Sequence, residues 1–223
     1  PRCGSTLVES IISLNTKVKD LGEVNIFEES YREYKQSEKQ KSLSEIYWKK
    51  LEITDSKTIT TNKWLFNYQY AGIIAKAIPN AKIIHCYRNP LDNILSTYRA
   101  HFATGNNFSS SLVDSAEVYS DQDEIMRTYK KEFKNHIYSL NYDKLVTHPS
   151  DEIKSLIHWL GWSWDDLYLS PHLNKRKVST RSNVQVRSPI NTKSLGGWKN
   201  YKEMLKPAME ILTKKEKYKD LKY

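Results

Sequence analysis

The sequence holds only two cysteines, Cys3 and Cys86, in 223 residues. That is too few for a disulfide framework and too few for a zinc site. No apolar run approaches the ~18 residues that a membrane-spanning helix needs. No charged-then-apolar leader opens the chain. Together these absences make a reduced, cytoplasmic setting the expectation. Internal repeats and low-complexity linkers are missing as well, and so is the GxxxxGK[ST] spacing of a Walker loop. No metal-ligand cluster is visible, so no metal is expected. Acidic residues are lacking over one long stretch: none falls between Asp166 and Glu203, which holds Lys175, Arg176, Lys177, Arg181, Arg187, Lys193, Lys199 and Lys202.

Hydrophobic residues make up 39% of the chain and aromatic residues 12%, enough to build a core. The formal net charge of +9 points to an anionic partner, either a nucleic acid, a membrane surface or a polyphosphorylated small molecule. Helical and strand-like patterns alternate, which predicts an α/β fold with a mainly parallel sheet. A first helix is expected over residues 4–14, with Leu7, Val8, Ile11 and Ile12 on one face. The polar stretch 28–41 is expected to be a mobile excursion. Helices are predicted over 43–51, up to Pro79 through Tyr70, Ile74 and Ile78, over 112–133, through Ile153 to Gly161, and over 201–212. Residues 58–61 and 136–142 read as strands. The clearest strand is AKIIHCY, Ala81 to Tyr87, whose apolar run predicts burial on both faces. A helix should follow it at once, capped by Asn89, opened by Pro90 and lined by Leu91, Ile94, Leu95 and Tyr98.

Two stretches carry candidate chemistry. In PRCGST a tight turn opens a helix, so unpaired backbone N–H groups and the helix dipole meet at one point and favour an anion. Gly4 permits close approach, Ser5 and Thr6 add hydroxyls, and Arg2 adds a charge. An ordinary helix start has the same look. In YRNPLDNILSTY, Arg88 follows the carboxyl end of the best strand, where open α/β sheets bind ligands. Ser96 stands two helical turns further on, and the pair is suited to gripping one phosphate. A surface arginine and an unrelated helix serine would also fit.

PRCGSTLVESI followed by RNPLDNILSTY resembles the sulfotransferase family, in particular its bacterial branch often fused to tetratricopeptide repeats and related to protein-tyrosine sulfotransferases. Further matches come in order. Asn62-Lys63 ahead of Tyr68 resembles the D/N-K-x-P-x-N segment. Tyr142 in NYDKLVTHP resembles the tyrosine of YExLV. LGWSWDD resembles the LGLxWD turn, and SNVQVRSPINTKSLGGWKNY resembles the QVRxPI and SxGxWxxY segment. Departures are Cys3 where the family has Ser or Gly, Leu65 in place of a proline, and Gly197 where a basic residue usually precedes the tryptophan, a role open to Lys193 or Lys199.

The resemblance implies one sulfotransferase domain over residues 1–223, with a three-layer, P-loop-like fold whose parallel central sheet is flanked by helices. A core strand is expected ahead of the phosphate loop, so the sequence is read as lacking its first core strand. It implies 3′-phosphoadenosine 5′-phosphosulfate (PAPS) as sulfuryl donor and an acceptor hydroxyl on a carbohydrate, lipid, small metabolite or protein tyrosine. The implied cofactor contacts are the 5′-phosphosulfate on Arg2, Cys3, Gly4, Ser5 and Thr6, the 3′-phosphate on Arg88 and Ser96, and the adenine near Tyr142 and Trp198. The acid-free segment would close over the dianionic end through Ser182, Arg187, Lys193 or Lys199. Lys63 and Arg2 would neutralise the leaving phosphate. Gly22-Glu23 resembles the signal that precedes the glutamate base of the tyrosine-sulfating relatives, with His85 and His101 as weaker alternatives. The stretches 25–51 and 103–120 would frame the acceptor. Two other classes compete: a P-loop nucleotide kinase or other nucleoside-phosphate binder, which needs a Walker lysine and a Mg²⁺-holding acid that the sequence lacks, and a non-catalytic nucleic-acid binder motivated by the charge.

Overall fold

The computed structural model describes residues 1–37, 40–53, 55, 57–100, 102, 105–175 and 187–221. Among these residues helices dominate, and four short strands form two parallel pairs. Strand β1 (Val18–Asp20) pairs with β2 (Ile59–Thr61), Val18 lying opposite Ile59. Strand β3 (Ile83–Tyr87) pairs with β4 (Ile137–Asn141), Ile83 lying opposite Ile137. The α/β class and the parallel pairing are as the alternating pattern predicts.

Helix α1 (Ser5–Ile12) follows the glycine turn and buries Val8, Ile11 and Ile12. Those residues join Leu140 of β4 and Leu145, Ile153, Leu156 and Ile157 of helices α7 (Tyr142–Thr147) and α8 (Pro149–Leu160) in one core cluster. Gly161 ends α8 at φ 79, a left-handed conformation that glycine adopts without a Cβ penalty. A second cluster packs Leu91, Ile94 and Leu95 of helix α5 (Pro90–Tyr98) against helix α6 (Leu112–Glu132) and helix α9 (Lys202–Thr213). Each fully buried aliphatic side chain of this kind contributes roughly 1.5–3 kcal/mol. Asn89 caps α5 as expected, its side chain accepting from the N–H groups of Leu91 and Asp92. Tyr98, expected on the buried face, is 40% exposed, because α5 ends there before the stripe completes another turn.

The stretch expected to be a mobile excursion is instead helix α2 (Ile26–Gln36), packed on helix α3 (Leu43–Leu51). Its apolar face is aromatic. Phe27 lies 5.9 Å from Tyr47 and 5.6 Å from Tyr70, and Tyr31 lies 5.6 Å from Tyr70, measured between ring centroids. Phe27, Tyr31 and Tyr34 recur at helical spacing, and a tyrosine buries its ring while keeping its hydroxyl wet. Glu28 and Glu29 in the first turn and Lys35 in the last complement the helix dipole. Helix α3 starts on a capping box between Ser42 and Glu45. Helix α4 (Ala71–Ala77) ends just before Pro79, as predicted.

Strand β3 is not buried on both faces. Only His85 in it is fully buried, and its neighbours are half-buried, because β4 is its one paired neighbour among the described residues. His85 is therefore a core residue. Desolvation, followed by the charge of Lys130, pushes its pKa down to about 3. Unfolded His85 takes up a proton near pH 6.5, so the unfolded state binds more protons between about pH 6.5 and 3. Stability is present above that window and lost as pH falls through it. Urea titrations across pH 7 to 4 should show His85→Leu losing part of the acid-side slope, by at most about 1.4 kcal/mol per pH unit.

Candidate active site

Both strand pairs send candidate residues out past their carboxyl ends, where a parallel arrangement leaves room for a ligand. Beyond β1 the chain continues through Leu21, whose N–H donates to the Thr61 carbonyl at 3.0 Å, to Gly22 and Glu23. Beyond β2 it continues to Asn62 and Lys63, whose backbone N–H donates to the Gly22 carbonyl at 2.9 Å. That bond sets two side chains face to face: Lys63 Nζ lies 2.8 Å from Glu23 Oε1 and 3.9 Å from Glu9 Oε2. Lys63 is nearly buried, Glu9 more so, and Glu23 is 46% exposed, so of the two carboxylates Glu23 is the one open to solvent. Thr61 Oγ1 donates to Glu9 Oε1 at 2.8 Å. Glu9 belongs to α1, about 6 Å along the axis from Ser5. The sequence reading missed it: a glutamate amid Leu7, Val8 and Ile11 carries no signal beyond breaking an apolar run.

Residues 1–4 form the turn that opens α1. Arg2 takes φ 58 and Gly4 φ 86. A Cβ on Gly4 would stand 2.2 Å from Tyr142 Cδ2, so the tyrosine ring lies directly on the turn. Arg2 Nε donates to Ser96 Oγ at 3.0 Å, which joins the loop to α5. Asn93 of α5 adds two more ties, its Nδ2 donating to the Pro1 carbonyl at 2.7 Å and to Cys3 Sγ at 3.0 Å. Cys3 is buried, and desolvation pushes its thiol pKa up, which makes it a passive small residue rather than a reactive one.

Arg88 and Tyr142 stand just past β3 and β4. The Arg88 guanidinium lies over the Tyr142 ring, 5.0 Å from its centroid. Its Nη2 donates to the Ser194 carbonyl at 2.6 Å and sits 3.6 Å from Asp92 Oδ2. Its Nε is buried and finds no hydrogen-bond partner among the described residues. A buried N–H of a permanent cation left unpaired is costly, and an anion arriving there would satisfy it. Tyr142 closes the ring of contacts through its hydroxyl, 2.7 Å from Ser194 Oγ. Asp143 accepts the Asn89 N–H at 2.7 Å, and desolvation raises its pKa.

The structure thus links Ser96, Arg2, Gly4, Tyr142 and Arg88 in one continuous set of contacts, with Ser5 and Thr6 opening α1 beside it. Arg88 and Ser96 do not touch the same partner: Ser96 holds Arg2, and Arg88 turns to the Ser194 turn. Trp198 is buried in the cluster of α5 and α9, and its backbone N–H donates to Asp92 Oδ1 at 3.0 Å. Lys193 and Lys199 are exposed, and Lys199 lies in the short 3-10 helix Gly197–Tyr201 that Gly196 opens. Arg187 is exposed, with Nη1 donating to the Asn174 carbonyl at 2.6 Å. Ser182 and His101 lie outside the described residues. Asp92 was passed over in the sequence because an acid in a helix's first turn is commonplace.

Among the described residues, no helix is long and apolar enough to cross a membrane. A family model described as "Sulfotransferase family" matches residues 37–166, more than half of the chain. An uncharacterized protein of Aquifex aeolicus (strain VF5) is 30% identical over 236 residues, covering 95% of this chain and 31% of that protein. Protein-tyrosine sulfotransferase 1 of Danio rerio is 26% identical over 145 residues, covering 61% of this chain and 41% of the relative. The matched stretches therefore cover less than half the length of either relative. Two solved structures share the fold at 15% identity. The sulfotransferase domain from the Synechococcus PCC 7002 olefin synthase superposes with a TM-score of 0.70, covering 89% of this chain and 84% of the domain. The sulfotransferase domain from the curacin biosynthetic pathway does so at 0.68, covering 96% and 94%. With the family model spanning more than half of its length, this chain belongs to the sulfotransferase family.

Proposed function

We propose that the chain transfers a sulfuryl group from PAPS to an acceptor hydroxyl and releases adenosine 3′,5′-bisphosphate. The observation that carries this reading is the buried Arg88 guanidinium, whose Nε has no partner among the described residues, stacked on the same Tyr142 ring that covers Gly4. One ring joins a candidate 3′-phosphate arginine to a candidate 5′-phosphosulfate loop, which is the span a bisphosphorylated nucleoside would bridge.

In the proposed reaction the acceptor oxygen attacks sulfur in line with the bond to the 5′-phosphate. That bond breaks, and its electron pair passes to the departing phosphate oxygen. The backbone N–H groups of the first turn of α1, with Arg2 and Lys63, stabilise the growing negative charge. Glu23 takes the acceptor's proton. Lys63 Nζ holds Glu23 at 2.8 Å, so donor binding, by drawing the ammonium toward the phosphosulfate, would free the base. Arg88 and Ser96 take the 3′-phosphate, and Tyr142 flanks the adenine. Cys3 lends the loop its small size, while Arg187, Lys193 and Lys199 supply positive charge and Ser182 a hydroxyl over the dianionic end. Trp198 acts through packing.

The test is a screen of carbohydrate, lipid, small-metabolite and tyrosine-peptide hydroxyls with sulfur-labelled PAPS in the presence of a metal chelator. The reading predicts label on one acceptor class, matched one to one by bisphosphate released. Label transfer that stops when divalent cations are chelated would count against it.

A further inference from the structure

Asp92 has two carboxylate oxygens and the fold uses both. Oδ2 accepts the Gly196 N–H at 2.7 Å, and Oδ1 accepts the Trp198 N–H at 3.0 Å. Those partners lie 104 and 106 positions along the chain, so these bonds do not cap Asp92's own helix. They pin a bend that begins at Ser194 onto the first turn of α5. Gly196 is left-handed at φ 68, which turns the bend's N–H groups toward the carboxylate. The same carboxylate stands 3.6 Å from Arg88 Nη2, and the pinned bend returns the Ser194 carbonyl to that nitrogen at 2.6 Å. The bend also places Ser194 Oγ on the Tyr142 hydroxyl. Both side chains of the Arg88–Asp92 pair are under a tenth exposed.

We propose that Asp92 is a positioning residue: through the Ser194–Trp198 bend it aims Arg88 at the 3′-phosphate of the donor. This rests on the reading of Arg88 as the 3′-phosphate arginine. The arginine's rotation is set on three sides, by the Asp92 carboxylate, the Ser194 carbonyl and the Tyr142 ring. A buried, pre-aimed guanidinium loses little freedom on binding, so the contact keeps most of its strength. The bend is continuous with the acid-free segment. Occupancy of the 3′-phosphate site and ordering of the Ser194–Trp198 bend are therefore coupled through one carboxylate, and by linkage each favours the other.

The experiment compares adenosine 3′,5′-bisphosphate with adenosine 5′-monophosphate by equilibrium titration of the wild type and Asp92→Asn. Asparagine keeps the size but loses the charge and one acceptor. The wild type should prefer the bisphosphate by about tenfold or more, and the variant should lose most of that preference while binding the monophosphate within about threefold of wild type. A purely structural role would weaken both ligands alike, and that result, or an unchanged preference, overturns the proposal. A wild type that does not prefer the bisphosphate refutes the donor reading itself, and this proposal with it. Should Asp92→Asn fail to fold, amide hydrogen exchange on the wild type decides. The bisphosphate should slow exchange at Gly196 and Trp198, and the monophosphate should not; equal protection by both refutes the coupling.

Discussion

Glu23→Gln is expected to lower turnover by roughly 10²- to 10⁴-fold, the usual worth of a positioned general base, while adenosine 3′,5′-bisphosphate still binds. The expectation follows from exposure and spacing. Of the two carboxylates around Lys63, only Glu23 faces solvent, and its 2.8 Å contact with Nζ is the one a donor would break. Folding should hardly change, because a half-exposed ion pair contributes about 0–1 kcal/mol. Lys63→Met separates the roles: it should weaken bisphosphate binding as well as turnover, since the ammonium is proposed to touch the donor. Single-turnover kinetics with saturating donor provide the measurement. If Glu23→Gln turns over at the wild-type rate with the bisphosphate still bound, another group is the base.

Gly4→Ala carries the second large effect, and its origin is geometric. The φ of 86 at position 4 costs an L-residue about 1–2 kcal/mol. The added Cβ would meet Tyr142 Cδ2 at 2.2 Å, so the ring must leave. Displacing the ring removes the face under Arg88 and the hydroxyl on Ser194 together. Denaturant unfolding should show a loss of about 2–4 kcal/mol, with strain and lost packing both contributing. Bisphosphate affinity should fall by about 100-fold or more, since charge-assisted contacts of Arg88 go with it. The double variant Gly4→Ala, Tyr142→Ala relieves the clash but not the backbone strain. It should regain part of the stability and none of the affinity, a non-additivity diagnostic of direct contact.

Much of the fold was legible in the sequence because periodicity and punctuation agreed there. Residues 43–51 form α3 as predicted, opened by the Ser42–Glu45 box. Asn89-Pro90 opens α5, and Gly161 closes α8. Helix α2 was misread because its buried face is built from Phe27, Tyr31 and Tyr34, and tyrosines score as polar until their rings are seen packed. Strand β1 has three residues, too few for alternation to register. The candidate site divides in the same way. Arg2, Gly4, Lys63, Arg88 and Tyr142 stand in short motifs at turns and strand ends, and Ser96 in the helix that follows one, where local sequence sets the geometry. Glu9 and Asp92 owe their roles to partners far along the chain, Thr61 and Lys63 for one, Gly196 and Trp198 for the other. No local pattern encodes such a meeting.

The central claim is that the linked Gly4, Tyr142 and Arg88 contacts serve a 3′,5′-bisphosphorylated nucleoside. The most direct measurement is thermal unfolding with adenosine 3′,5′-bisphosphate, with ATP and Mg²⁺, and with an oligonucleotide, each added alone. Binding to the folded state alone raises the midpoint. The account predicts a clear rise with the bisphosphate and none with the other two; no rise with the bisphosphate and a clear one with either rival would contradict it.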